Sequence, residues 1–251
     1  MHTLRLYLED IQGDWFGWME TFPGAFSQGM TPGAAARAAP AALIDYLRWL
    51  RAHEEPLPEH LQGLNSADFR VEVVEVQQAQ QAPDGQERNG FFAPDERPVD
   101  HEDLARYLRL LRYAREDLRK AVGAIPPDGW HTAPLGSKSV SCILQHLAEA
   151  ELRCLRGLGL EPIAPREPEA IDWIEIVRQE FERAVYAFPA HRRGEVFTVT
   201  GERWTLRKAL RRALWHERYH AAQIAARSNP VEFMRALAVE MRQRDAGIRL
   251  W

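Results

Sequence analysis

The sequence predicts a small α+β module followed by an all-α, up-down four-helix bundle, mainly α overall. Three observations carry this. Apolar residues recur with a two-residue period mainly before residue 80 and at three- and four-residue spacings after residue 100. The charge changes sign near the same place: residues 1–97 hold 15 acids and 7 arginines, whereas the rest hold 21 acids and 25 basic residues. Between them lies QQAQQAPDGQERNGFFAPDERP, rich in Gln, Gly and Pro and without periodicity, which reads as a linker or surface loop. The expected domains are therefore 1–97, linker included, and 98–251.

Each element follows from local chemistry. TLRLYLED at 3–10 alternates apolar and polar residues as a half-buried strand does, and a second strand is expected at 15–20. FPGAFSQG at 22–29 reads as turn chemistry around a short apolar piece. Thr31 and Pro32 supply a helix cap and a first-turn proline, and 34–52 carries Leu43, Tyr46, Leu47 and Leu50 at helical spacing. FRVEVVEV at 69–76 alternates again, so the first module orders strand, strand, helix, strand. Helices are then expected at about 101–124, from a cap at Ser137 or Ser139 to about 158, at about 168–188, and from a cap at Thr205 to about 227. EVFTVTG at 195–201 is β-branched and ends in glycine, so it reads as extended, a longer crossover before the last long helix. Asn229-Pro230 starts a shorter fifth helix.

Composition excludes several function classes. The 251 residues include two cysteines, Cys142 and Cys154, twelve apart on one predicted helix. That separation is too long for a disulfide, and the count rules out a four-cysteine zinc site. No run reaches the roughly 18 apolar residues of a membrane span, and acids occur within the first ten positions, so no membrane association and a cytoplasmic location are expected. Net charge of −4 disfavours bulk capture of nucleic acid, and none is expected as a partner.

The chemistry is concentrated in histidines. WHERYH at 215–220 places His216 and His220 one helical turn apart on the same side, with Glu217 between them in an H-E-x-x-H pattern. Two such residues are equally at home on a solvated helix. His146, however, lies beside Ile143, Leu147 and Ala150 on the apolar stripe of its own helix, where both ring nitrogens need partners. Three imidazoles from two helices with an open fourth position form the arrangement that holds catalytic zinc. Cys142 and Glu149 flank His146 on the same strip, Cys142 as a packing residue or soft ligand and Glu149 to orient a ligand imidazole or to bind the metal itself. Glu217 is turned about 80° from the midline of His216 and His220, within reach of a bound water or substrate as an acid–base group. The run Arg207, Lys208, Arg211, Arg212 reads as a solvated face or an anion-selecting one.

GSKSVSCILQHLAEAE at 136–151, TGERWTLRKAL from 200 and HERYHAAQI at 216–224 together resemble the DinB/YfiT-like metalloprotein superfamily over about 98–228. The resemblance implies a four-helix bundle, frequently homodimeric, with a divalent ion, zinc or nickel, on His146, His216 and His220. It also implies a small-molecule substrate and, in some relatives, a low-molecular-weight thiol such as bacillithiol or mycothiol as cosubstrate. LYLED at 6–10, FPGAFSQG at 22–29 with Thr31, and a helix ending in YLRWL at 46–50 are similar to HicB-like domains over about 1–80. No DNA-binding segment accompanies them, so the fold carries over as an assembly or ligand-recognition module, not the antitoxin role.

Three functions remain open at the level of sequence. One is a metal-dependent enzyme of the thiol S-transferase or hydrolase type that activates a thiol or water, with Glu217 as its catalytic acid–base. Another is a non-catalytic metal- or ligand-binding stress-response module. The last is an H-E-x-x-H metallopeptidase with Glu240 as third ligand.

Overall fold

The computed structural model describes residues 1–78, 80–81, 87–133 and 138–227. The predicted fifth helix and Glu240 lie outside these residues. The described residues fall into two compact units, 1–94 and 95–227.

In the first unit, strands β1 (His2–Ile11), β2 (Asp14–Met19), β3 (Phe26–Gly29) and β4 (Phe69–Gln78) form one sheet in the order β3-β2-β1-β4. β1 runs antiparallel to β2 and parallel to β4. Gln12 and Gly13, both at positive φ, make the two-residue turn that matches the twist of the β1–β2 hairpin. Helix α1 (Pro32–Ala52) starts at Thr31, whose side chain accepts from Ala34 N. Its buried stripe of Ala35, Ala39, Leu43, Tyr46, Leu47 and Leu50 closes the core over Leu4, Leu6 and Leu8 of the sheet. The small alanines allow close approach, and a Cβ on Gly29 would lie 2.4 Å from Ala35 N.

Two local expectations change. Part of the predicted turn, Phe26–Gly29, is a strand, because β2 offers it a ladder that its own sequence does not announce. The predicted linker is also partly structured. β5 (Gln80–Gln81) pairs with β6 (Glu87–Arg88), and Gly90 N then donates to the buried Glu9 carboxylate at 2.6 Å while Phe91 exchanges two hydrogen bonds with the Gln77 amide.

Among its described residues the second unit holds four α-helices, α2 (His101–Gly123), α3 (Val140–Gly157), α4 (Ala170–Tyr186) and α5 (Leu206–Ala226), and a hairpin of β7 (Phe197–Val199) and β8 (Glu202–Trp204). With the sheet of the first unit, this makes the protein mainly α. One end of the core joins Leu118 and Val122 late in α2, Ile143 and Leu147 early in α3, Ala170 and Ile174 early in α4, and Ala221 and Ile224 late in α5. Helices α2 and α5 therefore run one way and α3 and α4 the other. The connection that crosses the bundle is 158–169, between α3 and α4, and not the segment before α5. Twelve extended residues reach about 40 Å, enough to travel back along an 18-residue helix of about 27 Å. Ile163 N on that crossover donates to the Glu180 carboxylate of α4 at 3.1 Å. Among the described residues no helix is long and apolar enough to cross a membrane.

Candidate metal centre

Two caps set the helices that carry the histidines. Ser139, the second of the two predicted cap residues, accepts from Cys142 N at 3.1 Å and starts α3. Thr205 accepts from Lys208 N at 3.1 Å and donates to Asp95 O at 2.7 Å, so it starts α5 and ties it to the segment before α2. Behind the cap, Lys208 is fully buried. Its ammonium donates to Glu202 and to Arg203 O and sits 4.6 Å from the Trp204 ring centroid. Trp204 in turn occupies space that only Gly157 leaves, since a Cβ there would lie 2.4 Å from the indole.

With both helices fixed, the three predicted imidazoles converge. His216 Nε2 lies 3.0 Å from His146 Nε2 and 3.0 Å from His220 Nε2, and the three ligand atoms all fall within 4.8 Å of one another. The rings meet edge to face, at 83° for His146 and His216 and 88° for His146 and His220, so their Nε2 atoms aim at a shared point instead of stacking. A tetrahedral ion with bonds of about 2.0–2.1 Å spaces its ligand atoms about 3.3 Å apart, close to the two separations of 3.0 Å. His220 Nδ1 is 2.7 Å from Gln223 Oε1. Donation to that oxygen leaves the Nε2 of His220 as a lone-pair donor.

Burial keeps the group neutral. It is the largest cause that lowers His146 to about 4, His220 to about 3 and His216 well below 6.5. Neighbouring imidazoles lower His216 and His220 further, and Lys138 lowers all three. Neutral imidazole is the form that binds a metal, so no proton must first be displaced at neutral pH.

The other sequence candidates are placed elsewhere. Glu217 is wholly buried and faces away from the imidazoles, with its two oxygens held by Arg115 and Arg178. Glu149 is 53% exposed and 3.9 Å from Arg166. Cys142 is exposed and outside the histidine group, while Cys154 is buried and pushed up to about 12 by that burial. The basic run on α5 is neither a solvated face nor turned to the histidines as a whole. Arg207 pairs with Asp103, Lys208 with Glu202, and Arg211 with Asp95 at 2.7 Å, while Arg212 lies 4.5 Å over the Trp215 ring.

Sequence reasoning missed Arg115, Glu151 and Arg178. Each is at most 4% exposed in the bundle interior. A signal for them exists. Arg115 stands four residues after Leu111, Glu151 four after Leu147 and Arg178 four after Ile174, so each occupies a slot of its helix's apolar stripe.

A family model described as the DinB superfamily matches residues 110–224, a span that includes all three histidines and most of the four helices. No curated protein and no solved structure matches the chain.

Proposed function

We propose that the helical unit binds a divalent metal ion through Nε2 of His146, His216 and His220, as a metal-dependent enzyme of the thiol S-transferase or hydrolase type. The observation that carries this reading is the convergence of three ring nitrogens, with Nε2 of His146 and of His220 each 3.0 Å from Nε2 of His216, on a site where Gln223 fixes His220 to present a lone pair. Three neutral nitrogens facing one point share few protons, and lone pairs left opposed repel unless a cation draws them together. The match to the DinB superfamily supports the same conclusion.

Bound there, a divalent ion supplies a Lewis acid that lowers the pKa of a thiol or water at its open position. The chain's own part is to hold the three imidazoles neutral, to fix the tautomer of His220 through Gln223, and to keep the histidine-bearing stretches of α3 and α5 at a set separation. Glu217 belongs to this last task in our reading, because its carboxylate is engaged by two guanidinium groups and cannot turn to a substrate without breaking them. The same engagement disfavours a peptidase, which would need that carboxylate beside the ion. Zinc suits three imidazole donors, and nickel does as well. Any reactive thiol arrives with the cosubstrate, since Cys154 is buried and Cys142 lies outside the group. For the first unit, the order of three strands, helix and fourth strand supports a HicB-like recognition or assembly module.

Elemental analysis of untagged protein is the test. About one divalent ion per chain is expected in the natural sequence and none in His146→Ala. Full retention of the ion by His146→Ala, or none in the natural sequence after incubation with zinc or nickel, overturns the site. A screen for turnover with low-molecular-weight thiols, using the metal found, then distinguishes an enzyme from a binding module.

A further inference from the structure

Each helix of the bundle contributes one charged side chain to a shared buried cluster: Arg115 from α2, Glu151 from α3, Arg178 from α4 and Glu217 from α5. Their exposures are 3%, 2%, 4% and 0%. The two helices that carry the three converging histidines carry the two glutamates, and the two that carry none of the three carry the two arginines. Arg178 Nη2 donates to both Glu151 Oε1 and Glu217 Oε2. Arg115 does the same from the other side, with Nε to Glu217 Oε1 and Nη2 to Glu151 Oε1 at 3.3 Å, while its Nη1 donates to Ile174 O of α4 at 3.0 Å.

This wiring is a poor device for stability alone. Each ion loses its hydration, and well-packed apolar side chains of similar volume are often as stable or more so. The quartet is also incompletely paired, since Glu151 Oε2 and Arg178 Nε and Nη1 find no hydrogen-bond partner among the described residues. What it does supply is register. Two carboxylates repel, so α3 and α5 are joined here only through guanidinium groups, and the planar fork of arginine accepts a narrow range of positions. Glu217 directly follows His216, and successive helical residues point about 100° apart. Fixing Glu217 towards the bundle axis therefore fixes the direction in which His216, and one turn later His220, leave α5. Glu151 sets α3 in the same way five residues beyond His146.

We propose that the quartet of Arg115, Glu151, Arg178 and Glu217 positions the three-histidine site, by locking the rotation and register of α3 against α5. It rests on the reading of the histidines as metal ligands. The residues act through the helices and touch no substrate.

The experiment is cobalt(II) binding to the full chain, read by affinity and by the visible absorption that reports coordination geometry. The test variant replaces the whole quartet with apolar residues of similar length: Arg115→Met, Glu151→Leu, Arg178→Met and Glu217→Leu. Helical circular dichroism and cooperative unfolding should persist, while cobalt affinity falls at least tenfold and the absorption bands of the natural protein weaken and shift. A folded variant with unchanged affinity and spectrum overturns the proposal and leaves the metal site standing. Failure of the natural protein to bind cobalt, zinc or nickel overturns the metal reading and this inference with it. If the fourfold variant does not fold, Glu217→Gln and Arg178→Lys keep the shapes and decide instead. An altered cobalt spectrum in either supports positioning, and natural spectra in both overturn it.

Discussion

Two polar clusters lie between the same helices, α3 and α5, and they solve burial in opposite ways. The quartet is made of full charges that answer one another, two guanidinium groups against two carboxylates. The histidine group is made of neutral rings whose nitrogens all face one point. Neither would persist in a bundle interior if polar groups were placed only for stability. A cluster whose opposite charges answer one another holds geometry, whereas one whose like, neutral nitrogens converge on a point calls for something from outside.

The largest expected effect separates the clusters by ligand loss. If the histidines are metal ligands, His216→Ala should weaken zinc binding on the order of 100- to 1,000-fold, since structural zinc sites are worth about 10–16 kcal/mol over four ligands. Competition with a chromophoric chelator measures it. An affinity within twofold of the natural protein would reduce the cluster to packing. Next in size is the charged cluster. Glu217→Ala leaves two buried guanidinium groups facing an empty site and should lower unfolding free energy by about 3–5 kcal/mol, whereas the apolar replacement of all four charges should not. Urea denaturation of both variants measures the difference, and equal losses would show that the quartet is not one interacting unit.

The two clusters were also unequally legible in sequence. His146 could be seen because a histidine among Ile143, Leu147 and Ala150 stands out on an apolar stripe, and His216 and His220 because their spacing repeats the helical turn. The caps at Thr31, Ser139 and Thr205 could be read because a side-chain oxygen before an apolar helix has a local mechanism. Arg115, Glu151 and Arg178 fall on equally apolar stripes, but a charged residue on a helix is usually solvated, and nothing local says that its partner comes from another helix. Strand β3 was hidden for a related reason: four residues between turn signals become a strand only when β2 is beside them. The parallel run of α3 and α4 was hidden because twelve residues can serve either as a short link or as a crossover, and only packing decides.

Acid sharpens the contrast further. In metal-stripped protein the unfolded chain takes up protons on its histidines near pH 6.5, while the folded chain does not until about 4 for His146 and about 3 for His220. The unfolded state binds more protons across that window, so stability falls as pH drops from about 6.5 towards 4. Carboxylates held low despite their burial, Glu175 by Arg119 and Arg115 and Glu202 by Lys208 and Arg153, act in the same direction only below their ordinary value of 4.5. Glu151, whose carboxyl is raised by burial, acts in the opposite direction, so the imidazoles are read from the difference between the natural protein and a variant without them. Urea midpoints at pH 7 and pH 5 should differ in the natural protein and differ less in a His146→Asn, His220→Asn variant. Equal pH dependence in the natural protein and the variant would mean that the rings protonate freely in the folded state.

The smallest effect tests how the neutral cluster is aimed. Gln223 is three residues beyond His220 on α5, touches it at Nδ1, and has no part in the charged quartet. Partners of this kind fix tautomer and ring orientation, and their loss typically weakens metal binding about 10- to 100-fold. Gln223→Ala should fall in that range, and Gln223→Glu should recover binding, because a carboxylate accepts the same Nδ1 proton more strongly. Unfolding free energy of the metal-free protein should change by less than about 1 kcal/mol in either, as expected for one partly buried neutral hydrogen bond. Equal metal affinity in Gln223→Ala would show that His220 is aimed by its helix alone, which would place the whole task of orientation on the buried charges behind it.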